Sequence, residues 1–119
     1  MATRSTISKI KKDGSVETIY CHNDGYLEHH APILKKYYTN LTAINTLLNK
    51  GDMSVLSNSA ENSRFYHRDM QRKKSECVKR TISFESFLSN SLQEYNYIFK
   101  NKKWYVIKDN DPLKQMIEL

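Results

Sequence analysis

The order of strand-like and helix-like segments predicts an α+β fold of two layers, an antiparallel sheet built from N- and C-terminal hairpins with helices packed on it. Three observations carry this expectation. Two β-prone runs flank Asp13-Gly14 near the start, the most β-prone stretch of the chain is broken at Asn101-Lys102 near the end, and apolar residues between them recur at helical spacing. Strands gathered into hairpins, not alternating singly with helices, favour antiparallel pairing. The 119 residues suit a single domain spanning 1–119.

Taken in order, residues 5–11 and 15–21 read as strands joined by Asp13-Gly14, because the central residues of a tight hairpin turn need positive φ. A two-residue loop makes Lys12 face Ser15, pairs Ile7 with Tyr20 and Ser8 with Ile19, and places apolar side chains on both faces. Asn23-Asp24-Gly25 is a turn. Pro32 fits the first position of a helix, where its missing N–H costs nothing, with Ile33, Leu34, Tyr37 and Tyr38 on one face. Thr39 or Asn40 caps a second helix carrying Leu41, Ile44, Leu47 and Leu48, and Gly51 stops it.

Residues 52–61, rich in Ser and Asn, read as a loop anchored by Val55-Leu56. A short strand over 64–68 follows, then a mobile loop over 69–81, which shows no periodicity. Ser83 caps a helix with Phe84, Phe87, Leu88 and Leu92. Residues 94–108 form the second hairpin, and Asp111 with Pro112 opens a terminal helix whose Leu113, Met116 and Ile117 face inward.

Composition excludes several classes. With 39% hydrophobic and 27% charged residues, three Gly and two Pro, the chain is neither disordered nor collagen-like. No apolar run reaches the roughly 18 residues of a membrane span. Residues 1–12 lack the apolar stretch of a secretory signal, so a cytoplasmic location is expected, with Cys21 and Cys77 reduced.

The net charge is +6, and its distribution is uneven. Arg64, Arg68, Arg72, Lys73, Lys74, Lys79 and Arg80 are opposed within their segment only by Asp69 and Glu76. Smaller groups, Lys9, Lys11 and Lys12, then Lys100, Lys102 and Lys103, flank the two hairpin turns. Such clusters attract phosphates, nucleotides or acidic protein faces, or simply form a solvated surface.

Catalytic and metal motifs are weak. Cys21 and His22 are neighbours, as are His29 and His30, and neighbours on a strand point to opposite faces, which suits no tetrahedral metal site. Cys21 or Cys77 with His67 offers a Cys-His nucleophile pair, against the reading of Cys21 as a small buried hydrophobe. His22 with Asp24, and His67 with Asp69, are local His-x-Asp pairs that serve equally as turn structure. Glycine-rich phosphate loops are absent. Tyr95, Tyr97 and Phe99 share a strand face that either stacks bases beside the lysines or lies in the core, the core being preferred. No enzymatic activity, cofactor or metal is expected. The candidate binding surface is Arg64, Tyr66, His67, Arg68, Arg72, Lys73, Lys74, Lys79 and Arg80, a segment with almost nothing apolar to bury.

The opening Ala2-Thr3-Arg4-Ser5-Thr6-Ile7 and the segment Ile19-Tyr20-Cys21-His22-Asn23-Asp24-Gly25-Tyr26 resemble a family of small uncharacterised phage and prophage proteins. That family carries an Ile-Tyr-Cys-His-Trp-Asp-Gly-Tyr-like motif, and here Asn23 stands where the pattern has Trp. Leu34 with Tyr37-Tyr38, Gly51-Asp52-Met53-Ser54, Tyr66-His67-Arg68-Asp69, Tyr95-Asn96-Tyr97 and Trp104-Tyr105-Val106 extend the likeness. The resemblance implies an accessory protein in the cytoplasm of a bacterial host. With the basic segment, it leads to the expectation of an anti-CRISPR-like inhibitor that binds a host defence protein or ribonucleoprotein complex. Direct DNA or RNA binding and a homo-oligomeric sponge for a signalling nucleotide are the alternatives; no membrane partner is expected.

Overall fold

The structure, a computed structural model, describes residues 3–89 and 93–119. Strands β1 (Ser5–Ile10) and β2 (Ser15–Cys21) form the first hairpin, followed by α1 (Leu27–Tyr37) and α2 (Leu41–Asn49). Next come β3 (Met53–Val55), β4 (Arg64–Phe65), α3 (Tyr66–Met70), α4 (Lys74–Cys77), β5 (Arg80–Ser83) and α5 (Phe84–Ser89). The second hairpin is β6 (Tyr95–Lys100) with β7 (Lys103–Lys108), and β8 (Ile117–Glu118) ends the chain.

The fold is a two-layer α+β arrangement with helices packed on one mixed sheet. Strand order is β4-β3-β2-β1-β6-β7-β8, with β5 also on β2. Both hairpins are antiparallel as expected, but they meet through the parallel pair β1–β6, and β2–β3 is parallel too. The parallel join of β1 and β6 brings both hairpin turns to one end of the sheet.

The second hairpin turns on Asn101 and Lys102, both at positive φ (52° and 64°), with Lys100 opposite Lys103. The first has a different loop from the expected one. The backbone N–H of Lys11 donates to the Ser15 carbonyl at 2.7 Å, so the loop is three residues, Lys12 to Gly14. Gly14 supplies the left-handed residue that closes such a loop, at φ 88°. The register therefore shifts by one, pairing Ile7 with Ile19 and Ser8 with Thr18.

One sheet face, carrying Ile7, Ile19, Tyr97 and Val106, packs under α1 and α2 with Leu34, Tyr38, Ile44, Leu47 and Leu48. Tyr97 and Phe99 are core, which overturns the base-stacking alternative for that strand face. Buried aromatics here keep their polar ends bonded: Tyr97 Oη donates to the Gly25 carbonyl at 2.7 Å, and Trp104 Nε1 donates to the Tyr38 carbonyl at 2.9 Å. The opposite face holds a smaller cluster of Val16, Phe87, Ile98 and Ile107, covered by α5 and Met116. Apolar side chains on both faces of the first hairpin are thus accounted for.

Helix starts and stops depart in part from expectation. Asn40 caps α2, its Oδ1 accepting from the Ala43 N–H at 2.9 Å, and Ser83 Oγ accepts from the Ser86 N–H at 3.0 Å. Leu41, expected in the buried stripe, is exposed. Pro32 lies inside α1, which begins at Leu27, so the helix spans a prolyl nitrogen that cannot donate. The expected strand over 64–68 ends at Phe65 and turns into α3. The expected loop over 69–81 is built instead from the end of α3, the single turn α4 and the start of β5, which pairs antiparallel with β2. Leu92 lies outside the described residues.

The terminal helix does not form. Asp111 accepts from the Leu113 and Gln115 N–H groups, as a cap would, but Lys114 takes φ 49° and ends the turn. Ile117–Glu118 then docks on the free edge of β7, leaving Leu113 and Ile117 exposed. Among the described residues, no helix is long and apolar enough to cross a membrane.

Candidate functional site

The outer edge of β2 has a break that organises the basic segment. Strand β5 covers β2 from Ser15 to Thr18, and β3 meets it at Cys21. Tyr20 lies between, and its backbone N–H donates to Asp52 Oδ1 at 2.9 Å, the carboxylate taking the place of a ladder carbonyl. Both oxygens of Asp52 also accept from Arg80, from Nη1 at 2.9 Å and Nη2 at 2.6 Å. This bidentate pair ties the first residue of β5 to the residue before β3.

Local sequence puts Asp52 there. Gly51 follows α2 at φ 83°, and a Cβ at that position would collide with the Cys77 carbonyl oxygen. The close approach lets the Asp52 N–H donate to that carbonyl at 2.7 Å, drawing α4 against the sheet edge. The Tyr66 N–H donates in turn to the Asp52 carbonyl, so one residue holds the starts of α3 and β5 and the end of α4. The hydrogen bond from Arg80 to Asp52 holds the guanidinium still more firmly protonated.

Two cavities flank this junction and share Tyr20 and Asp52. One, of about 330 Å³, is lined also by Thr6, Thr18, Arg80, Ile82 and Gln93. The other, of about 180 Å³, is lined also by Tyr66, Arg72, Glu76 and Cys77. Burial raises the pKa of the Tyr20 phenol, and its hydroxyl shares a hydrogen bond with His22 Nδ1 at 2.7 Å. With three hydrogen bonds on its carboxylate, Asp52 is a keystone of the edge.

The nine candidate residues separate into two groups. Arg68 is structural: it donates to Asp69 and to the carbonyls of Ala60, Glu61 and Ser63, binding α3 to the loop before β4. Lys79 pairs with Glu17 at 3.2 Å and reaches Asn49 Oδ1 at 2.7 Å. Burial pushes the Glu17 carboxyl up, but Lys79 and Lys9 outweigh it and hold the group below its usual range. Arg80 is committed to Asp52.

Arg64, Arg72, Lys73 and Lys74 are exposed, and among the described residues no carboxylate lies within ion-pair distance of any of them. The Arg72 guanidinium sits over the Tyr66 ring at 5.1 Å, which presents a planar cation on an aromatic base. His67 Nδ1–H donates to the Arg72 carbonyl at 2.8 Å and fixes the turn beneath it. A cavity of about 270 Å³ beside them is lined by His67, Arg68, Lys74 and Cys77 among others. The structure therefore brings Tyr66, His67 and Arg72 together, with Lys74 beside His67, and commits Lys79 and Arg80 to the carboxylates of Glu17 and Asp52.

The remaining sequence candidates resolve as structure. Cys21 is fully buried, and burial pushes its thiol up to about 12, far from a reactive thiolate. Cys77 is also buried, its thiol pushed up by burial, with Sγ donating to the Lys73 carbonyl at 3.0 Å. Neither His-x-Asp pair forms: His22 bonds Tyr20, and Asp69 accepts from Arg68 and the Phe65 N–H. His29 and His30 share a hydrogen bond between their Nδ1 atoms at 3.0 Å, and among the described residues no three His, Cys, Asp or Glu side chains gather as a metal site.

Comparison of the chain with protein-family models, with curated proteins and with solved structures found no match.

Proposed function

We propose that the protein acts by binding, without chemistry of its own, and that its target is an anionic face of a host defence complex of the CRISPR-effector kind. The observation that carries this reading is the division of the basic segment. The fold spends Arg68, Lys79 and Arg80 on internal carboxylates and carbonyls, and it displays Arg64, Arg72, Lys73 and Lys74 without such side-chain partners among the described residues. Displayed cations on a surface held by hydrogen bonds from beneath suit the steering and docking of an anionic partner. The resemblance of residues 2–26 to small phage proteins supports the choice of a host defence complex as that partner.

Arg72 over Tyr66 favours a second reading, direct binding of single-stranded nucleic acid, since a cation stacked on an aromatic ring serves base and phosphate together. Capture of tagged protein from host lysate, with and without nuclease, separates the two. A defined protein complex that survives nuclease is the expected result. Loss of everything captured, together with affinity that falls steeply with salt, replaces the first reading by the second.

A further inference from the structure

The parallel pairing of β1 with β6 assembles a second basic surface that neither hairpin possesses alone. Both turns lie at one end of the sheet, where Lys11, Lys12 and Lys102 rim a groove of about 500 Å³; Lys100 also lines it, with its ammonium 5.3 Å from the centre of the Phe84 ring. Its apolar lining on the helix side is Phe99 and, from the first turn of α2, Leu41, which is 54% exposed; Ile10 at the strand end packs against the cluster on the other sheet face. The other lysines nearby are already engaged, Lys9 with Glu17 and Asn45, and Lys103 with Glu118. Asp13, within the first turn, accepts from the N–H and hydroxyl of Ser15. Among the described residues, no carboxylate lies within ion-pair distance of Lys11, Lys12 or Lys102.

We propose that this groove docks an acidic peptide segment of a partner protein, with a bulky apolar side chain seated on Leu41 and Phe99 and flanking Asp or Glu residues facing the lysines. Charge complementarity sets the sign of the partner, and the apolar lining sets its class. An exposed aliphatic side chain with a largely buried Phe99 offers shape to an apolar anchor but no open aromatic face on which a base can stack. The groove lies at the opposite end of β2 from the Arg64–Lys74 surface, roughly 20 Å away by strand rise, so the two surfaces engage separate parts of a partner.

A displayed library of random dodecapeptides, selected on the intact protein, tests this directly. The expected result is enrichment of sequences with carboxylates on both sides of Leu, Ile or Phe. Their affinity falls roughly tenfold in the Lys12→Glu, Lys102→Glu protein and weakens in high salt. A second variant, Lys11→Gln with Lys12→Gln, leaves the Asn101-Lys102 turn untouched and loses affinity in the same sense; Leu41→Ser removes the anchor contact. Reversal of Arg72, Lys73 and Lys74 leaves peptide binding unchanged, which keeps this test apart from that of the other surface. No enrichment, enriched peptides without carboxylates, binding indifferent to these variants, or preferred capture of a single-stranded oligonucleotide by the same lysines overturns the proposal.

Discussion

Arg80 and Asp52, 28 residues apart in the chain, form a bidentate ion pair across a break in the edge of β2. The same carboxylate accepts the Tyr20 N–H, so a side chain completes a ladder that no strand covers. Asp52→Ala leaves that N–H without a partner and unties β5, and is expected to cost about 2 kcal/mol. A double-mutant cycle with Arg80→Ala should return a coupling of about 1 kcal/mol, since the arginine side chain is 49% exposed and water screens part of the pair. Urea unfolding of the four proteins measures both, and additive effects would show that the two residues act independently.

Two glycines at similar φ make a second comparison. Gly14 (φ 88°) has open space where a Cβ would stand, whereas at Gly51 (φ 83°) a Cβ meets the Cys77 carbonyl. Gly14→Ala should cost about 1 kcal/mol, the conformational part alone. Gly51→Ala should cost about 3 kcal/mol or more, because α4 must also withdraw from the edge. Thermal melts that rank the two variants the other way would contradict the close approach.

His30 is buried in α1, with Nε2 3.1 Å from Ser5 Oγ and its ring 5.2 Å from that of Tyr97. Burial, with His29 adding to it, lowers its pKa from 6.5 to about 3. The folded protein therefore keeps this imidazole neutral while the unfolded chain protonates it. Stability from this group is complete above pH 6.5 and falls as pH drops from 6.5 towards 3, by about 1.4 kcal/mol per unit. Denaturant unfolding at pH 7 and pH 5 should show the loss in the natural protein and a smaller one in His30→Gln. An equal loss in both would assign the pH dependence to other groups.

Much of the fold was legible because its signals are local. Asn101, Asn40, Ser83 and Gly51 each mark a turn, cap or stop through local geometry that these residue types favour, the glycine because it lacks a Cβ. Where the same local signal serves two structures, the sequence misled. Asp111-Pro112 caps a single turn as well as it starts a helix, and the strand that follows is decided by the distant edge of β7. The one-turn helices in 66–77 are too short to show a period, and β5 is defined by β2. Ile82 is the one apolar residue in its four, so β5 carries no alternation that would mark it as a strand. Asp52 reads as an ordinary loop acid after a glycine, so the keystone of the site was invisible without its partners.

Membership of one basic segment does not make its residues equivalent. Arg68→Ala removes donors to three loop carbonyls and should destabilise the protein by about 1 to 2 kcal/mol. The neighbouring exposed cations should behave differently: Lys73→Ala and Lys74→Ala should fall within about 0.5 kcal/mol of the natural protein in chemical unfolding. Comparable losses at all three positions would remove the division between committed and displayed charge.

That division is the centre of the account, and the triple variant Arg72→Glu, Lys73→Glu, Lys74→Glu tests it most directly. The measurement is capture of the nuclease-resistant partner from host lysate by natural and variant protein at equal concentration, with a thermal melt of each. The account predicts an unchanged melt and at least a tenfold loss of captured partner, which corresponds to about 1.4 kcal/mol of binding. Undiminished capture by a fully folded variant would contradict it and move the binding surface elsewhere.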